Sequence, residues 1–429
     1  MISRCNYVKV HFNTILVFCL ALSIISSASF AWNIPGDVAV CTAANYQGSP
    51  QMISDGSSGA IIVWEDSRNG ANSDIYAQRV NSSGIPQWSA DGIAVCTAAN
   101  NQRVLQLVSD DSGGAIIVWE DYRQGANTDI FAQRLDSSGF CQWTIDGVSV
   151  CTAAYNQGSP ELVSDGSGGA IIVWQDARNG VSYDIYAQRL NASGFSQWTT
   201  DGVSVCTAAE FQGSPQLVSD GSGGAIIVWQ DYRNGNSDLY GQRLNSSGFS
   251  QWTTDGITVC TSANYQGASQ LVNDGSGGVI IVWQDYRSGN YDLYVQRLDS
   301  SGFSQWTTDG VAVCTDTNEQ TYPALVSDGS SGTIIFWHDA RSGNYDIYGQ
   351  RFNPSGVTQW TANGVTVCTD TNTQLNPAVV SDGSNGAIIV WQDYRSSNTD
   401  IYVQRLNTSG VSQWTTNGVT VCTATNNQY

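Results

Sequence analysis

Pro215-Gln-Leu-Val-Ser-Asp-Gly-Ser-Gly-Gly-Ala-Ile-Ile-Val-Trp-Gln-Asp-Tyr-Arg-Asn-Gly-Asn-Ser-Asp-Leu-Tyr-Gly-Gln-Arg-Leu244 is the stretch whose reading decides the fold. Pro215 to Asp220 reads as a short strand. Gly221-Ser-Gly-Gly224 reads as a turn, because Asp-Gly and Gly-Gly supply the positive φ angles of a tight hairpin. Ala225, Ile226, Ile227, Val228 and Trp229 then run apolar without alternation, which predicts a strand buried on both faces. A polar loop, Asp231 to Asp238, leads to a third strand, Leu239 to Leu244. Beyond it, Asn245-Ser-Ser-Gly248 is a turn, and Gln251-Trp252 and Asp255-Gly256 lead into a fourth strand, Ile257-Thr-Val-Cys-Thr261.

The same unit recurs along the chain. Trp64, Trp119, Trp174, Trp229, Trp283, Trp337 and Trp391 mark one position in it at steps of 54 or 55 residues. Trp88, Trp143, Trp198, Trp252, Trp306, Trp360 and Trp414 mark a second position. A long period with only strand and turn signals predicts an all-β β-propeller of four-stranded antiparallel blades, seven in number. The fourth strand occurs once more, at Trp32 to Thr42 ahead of the first unit. Two readings follow: seven blades with one redundant strand, or eight if the chain is a fragment.

Arg4 and Lys9 precede an apolar run from Ile15 to Ile25 and the small-x-small site Ser29-Phe30-Ala31. This predicts a secretory signal peptide over residues 1–31, too short in its apolar part to span a bilayer comfortably. Residues 32–429 are expected to form a single propeller domain, extracytoplasmic (secreted, periplasmic or at the cell surface), with no membrane insertion once the leader is cut. Lys9 is the only lysine, so the mature chain carries 15 Arg against 37 Asp and Glu, a net charge near −22. Phosphate backbones repel such a surface, and nucleic acid is not an expected partner. Cys41, Cys96, Cys151, Cys206, Cys260, Cys314, Cys368 and Cys422 each stand in a Val-x-Val-Cys-Thr type strand, one per copy. Equivalent sites on successive blades are too far apart for disulfides, so buried free thiols are expected, with Cys141 as an extra one.

Pro160, Ser164-Asp165-Gly166, Ile171-Ile172-Val173-Trp174, Asp176, Arg178, Gly180 and Asp184-Ile185-Tyr186 follow one another in an order that resembles the TolB-type propeller repeat. All seven units carry the Asp-x-Arg and Asp-Ile/Leu-Tyr or Phe parts. The proline before the Asp-Gly turn is absent, and each unit is lengthened by its Gln-Trp and Val-Cys-Thr segments. The resemblance implies blade architecture in an extracytoplasmic repeat protein.

A near-perfect repeat places like groups around a ring, whereas catalysis needs unlike groups to converge. His11 lies in the leader, and His338 stands where other units have Gln or Glu, so His338 reads as a repeat variant. Zinc is disfavoured, since the cysteines come one per unit without nearby histidines. Glycosidase chemistry needs paired carboxyls, for which the Asp66/Asp74 type pairs are the candidates. All Arg of the mature chain except Arg103 belong to two repeating series. The expectation is therefore a non-catalytic binding module.

The Asp-x-Arg-x-Gly loop is the most suggestive constellation. A structural reading has an Asp at each end of the turn capping backbone N–H groups, with the Arg bonded to both. No cofactor is expected; calcium is the alternative, which the cationic Arg opposes. The residue between Asp and Arg varies from unit to unit, as at exposed contact sites. The binding candidates are accordingly Arg68, Tyr122, Arg123, Arg178, Tyr232, Arg233, Tyr286, Arg287, Arg341, Tyr394 and Arg395. The second Arg series, Arg79 to Arg405, is expected to pair with a neighbouring strand's Asp. The leading expectation is a monomeric protein-interaction module. The alternatives are a multivalent lectin using the Trp88 series and the propeller portion of a larger hydrolase.

Overall fold

The computed structural model describes residues 38–423. They form seven four-stranded antiparallel sheets, each with its strands in chain order, arranged as the blades of a β-propeller. The eight-blade alternative does not apply to these residues. The signal peptide predicted over 1–31 lies outside them, as does most of the extra strand predicted over 32–42. In blade 4 the strands are Gln212–Ser219, Ala225–Asp231, Asp238–Leu244 and Ile257–Cys260, innermost first. Among the described residues no helix is long and apolar enough to cross a membrane.

The uninterrupted apolar strand is explained by what covers its two faces. Ile226 and Val228 pack with Val279, Ile281 and Trp283 of blade 5. Ile227 and Trp229 turn the other way, onto Ile171 and Val173 of blade 3. Each fully buried Ile or Val contributes about 1.5–3 kcal/mol. The turn before this strand depends on Asp220, whose Oδ1 accepts from Ser222 N and Gly224 N, both at 2.8 Å. Gly224 cannot be replaced, since a Cβ there would stand 2.2 Å from the Leu244 carbonyl oxygen.

Two arginine series tie blade to blade. The Asp231 carboxylate is fully buried and accepts from Trp229 Nε1 at 2.9 Å, Arg233 Nε at 2.8 Å and Arg233 N at 3.0 Å. Arg233 Nη2 closes the ion pair at 2.5 Å and also reaches the Asp255 carbonyl and Cys206 Sγ on the last strand of blade 3. Its guanidinium lies over the Tyr240 ring, 4.0 Å from the centroid. The sequence-based expectation that Arg bonds both loop aspartates is corrected here. Arg233 takes Asp231 alone, and Asp238 accepts instead from Asn234 and Asn236. In the second series Arg243 pairs with Asp220 of its own blade at 2.9 Å and donates to the Ser300 carbonyl of blade 5 at 2.9 Å.

The eight once-per-copy cysteines are buried, and the seven from Cys41 to Cys368 are free thiols. Burial pushes the Cys260 thiol up to about 12, so it stays protonated and inert. Cys141 departs from expectation: it is exposed, because it stands on the turn after the third strand rather than in the fourth. Residues 38–42 form no strand. Val40 and Cys41 nevertheless pack against Ile62 and Trp64 of blade 1, where other blades receive the preceding fourth strand. At the far end, Arg405 has a side chain 35% exposed, against 16–22% for its six counterparts.

Asp231→Asn strips charge from a buried, fully bonded site. The expected loss is about 3 kcal/mol, read from the urea midpoint, while Ser222→Ala on the exposed turn stays within about 0.5 kcal/mol.

Candidate functional site

The loops after the second strands and those leading into the first strands lie at the same end of the ring. They are bonded to one another, as by Tyr232 N to the Phe211 carbonyl at 3.0 Å and Gln266 N to the Ser237 carbonyl at 2.8 Å. Each innermost strand carries a bulge just below this face, as between Gly213 and Gln216. The units differ from one another at the positions surrounding that bulge. The bulge residue is Ser49, Val104, Ser159, Ser214, Ala268, Tyr322 and Asn376 in successive blades, each at positive φ. The penultimate residue of the second strand is Glu65, Glu120, Gln175, Gln230, Gln284, His338 and Gln392.

An acidic arc spans blades 1 to 3. Glu65 Oε1 accepts from Val104 N of blade 2 at 3.0 Å, and Glu120 Oε1 accepts from Ser159 N of blade 3 at 2.8 Å. Burial raises the Glu65 carboxyl above its ordinary range, with the Arg103 charge and these bonds opposing the rise. Burial raises Glu120 as well, and there the Glu65 charge adds to it. Glu161 stands on the innermost strand of blade 3 and accepts from Gln106 Nε2 at 3.1 Å and Gln216 Nε2 at 3.2 Å, one on each neighbouring blade. Burial lifts its carboxyl to about 7. Arg103 is exposed, and among the described residues it is the one arginine without an ion pair.

An aromatic arc continues around the same face. Phe211 meets Tyr183 and Tyr232 edge-on, at centroid distances of 5.9 and 5.6 Å. Tyr291 meets Tyr286 and Tyr265 at 4.9 and 6.0 Å. In blade 6 the His338 ring lies between Tyr322 and Tyr345, at 4.7 and 5.3 Å. His338 is 2% exposed and neither ring nitrogen has a partner. Burial pushes its imidazole down to about 4, leaving it neutral at ordinary pH.

Of the sequence-predicted residues, Tyr122, Tyr232, Tyr286 and Tyr394 stand in the loops of this face. The arginines, Arg68, Arg123, Arg178, Arg233, Arg287, Arg341 and Arg395, are instead bound to the buried aspartates at the loop starts. The Asp66/Asp74 type pairs are not free carboxyl pairs, because the first member is filled by Arg68 and Trp64. The Trp88 series lies toward the opposite face and is packed between blades. Trp143 Nε1 donates to the Ala192 carbonyl of the next blade at 3.1 Å, and a Cβ on Gly194 would touch its ring at 2.8 Å. That opposite face presents Phe140, Phe195, Phe249 and Phe303, 69–70% exposed at equivalent turns.

Sequence reasoning missed Glu161 and gave Glu65, Glu120 and Arg103 no role. The signal was present. All five glutamates, Glu65, Glu120, Glu161, Glu210 and Glu319, occupy positions where most other units carry no acid, whereas most of the aspartates follow the repeat.

No protein-family model matches the chain. No curated protein matches it. Among solved structures, a polysaccharide lyase of family PL25, an ulvan lyase bound to a GlcA–Rha3S saccharide, aligns with TM-score 0.53 and 10% identity, over 82% of this chain and 90% of that one. An α-L-arabinofuranosidase from Fusarium graminearum aligns with TM-score 0.40 and 12% identity, over 71% and 93%. A TolB protein from Agrobacterium tumefaciens, described as putative, aligns with TM-score 0.34 and 16% identity, over 62% and 82%. The lyase alignment shows a shared fold. The expectation of a non-catalytic protein is thereby overturned: this architecture hosts enzymes, and the ring supplies unlike groups at one place despite its repeats.

Between about 4.5 and about 7 the folded protein holds a proton on Glu161 that the unfolded chain has released. Stability therefore falls as pH rises through that window, and Glu161→Gln removes this component. Urea midpoints of both proteins at about pH 5 and about pH 8 test it: the variant should gain on the wild type at the higher pH, and parallel curves would contradict it.

Proposed function

We propose that this chain is an extracytoplasmic carbohydrate-active propeller that takes a saccharide across the face bearing the acidic and aromatic arcs. The supporting observation is the placing of Glu65 and Glu120 on adjacent blades: burial raises both carboxyls, and the neighbouring charges act on the two unequally. Arg103 favours the ionised form of Glu65, and ionised Glu65 favours the protonated form of Glu120. Two carboxyls split in this way divide the labour of glycosidic-bond cleavage. Glu120 would donate the proton to the leaving oxygen, and Glu65 would act as base or as stabiliser of the developing positive charge. The tyrosines of blades 3 to 6 offer ring faces and hydroxyls to sugar units on either side.

A second reading rests on Phe140, Phe195, Phe249 and Phe303. A row of equivalent exposed rings on the opposite face suits a repetitive partner, glycan or protein, held by avidity.

A panel of polysaccharides, assayed for new reducing or unsaturated ends, tests the main reading. Cleavage of at least one polymer is expected, with Glu120→Gln lowering kcat by about 10²-fold or more and leaving the thermal midpoint near that of the wild type. Cleavage unaffected by Glu120→Gln, or no cleavage across the panel, would overturn it.

A further inference from the structure

The charge of the loop face bearing the acidic and aromatic arcs, called the mouth below, narrows the saccharide it would accept. This step rests on the carbohydrate reading above and narrows it. Every glutamate of the chain lies at this face or just below it in the innermost strands: Glu65, Glu120, Glu161, Glu210 and Glu319. One unpaired cation, Arg103, stands among them, and it sits beside Glu65. The mature chain adds a net charge near −22 and has no lysine. A field of that sign draws cations toward the mouth and repels uronates and sulfates.

A separate observation locates a place for a ligand. His338 occupies in blade 6 the position held by Glu65 in blade 1, yet both ring nitrogens lack a partner while the residue is 2% exposed. A buried polar group without partners costs roughly 1–3 kcal/mol, and a ligand that supplies a donor recovers it. Tyr322, 62% exposed, covers the imidazole from the mouth side. Tyr345, on the other side, is held by its hydroxyl donating to Glu319 at 2.9 Å. A neutral imidazole beside two tyrosines, one of them bonded to the Glu319 carboxylate, provides an acceptor and ring faces with a negative charge behind them, the set that an ammonium on a sugar ring engages.

We propose that the mouth binds an amino-sugar oligomer with free amino groups, its ammonium groups facing Glu65 and Glu319 and one sugar unit displacing Tyr322 to reach His338.

Calorimetry with three oligosaccharides of one length tests this: a β-1,4-glucosamine hexamer, its fully N-acetylated twin and a hexauronate. The glucosamine hexamer should bind roughly tenfold or more tighter than either of the others and weaken as salt rises. The double variant Glu65→Gln, Glu319→Gln should lose most of that binding, which separates a site from attraction to the acidic surface at large. His338→Gln restores the residue of other blades, so it should fold normally and still bind more weakly. Tighter binding of the acetylated or uronate hexamer would overturn the amino-sugar inference and leave the carbohydrate reading standing. Glucosamine binding that is indifferent to both variants would also overturn it. If no hexamer binds, the inference falls, and the polysaccharide panel decides the broader reading separately.

Discussion

Everything in this ring depends on a carboxylate taken fully out of water and kept charged. Asp231 and its six counterparts each receive an indole N–H, a backbone N–H and a bidentate guanidinium, and the same guanidinium reaches the sulfur of a cysteine 27 residues earlier in the chain. An ionised group in that position is tolerable only when all its lone pairs are used. The constraint fixes the Trp, the Asp, the Arg and the Tyr beneath it as a set, which is why they vary so little between units. It also welds neighbouring blades at the end of the ring where the functional loops are carried, so those loops can change sequence without loss of register.

The blade itself was readable from the residues because its physics is local. Asp-Gly turns, a five-residue apolar run and a period of 54 or 55 are each forced by one feature of the fold. The apolar run Ala225 to Trp229 has two covered faces only because sheets stand face to face, so its composition alone implied the stacking. The long loops were read less well. The spacing of Asp231, Arg233 and Asp238 does not reveal that Arg233 turns back to one aspartate and forward to a cysteine 27 residues earlier in the chain. That contact runs between blades, and no window of sequence within one unit contains it.

The candidate site was hidden for a related reason. The repeat attracts the eye to what recurs, and the recurring arginines and tryptophans are the ones committed to structure. Glu65, Arg103, Glu120, Glu161 and His338 are departures from the pattern, scattered over nearly 300 positions, and only the ring brings them to one end. Subtracting the repeat recovers them: five glutamates against a background of mostly patterned aspartates. The two residue classes divide the work, the patterned ones holding blades together and the unpatterned ones gathering on the loop face.

Hydrogen–deuterium exchange of the intact protein, with and without a saturating oligosaccharide that it binds, tests that division most directly. Protection confined to the bulge strands and adjoining loops around residues 46–49, 100–104 and 319–322 is the expected result. Protection at the turns carrying Phe140, Phe195, Phe249 and Phe303, with the mouth unchanged, would contradict it.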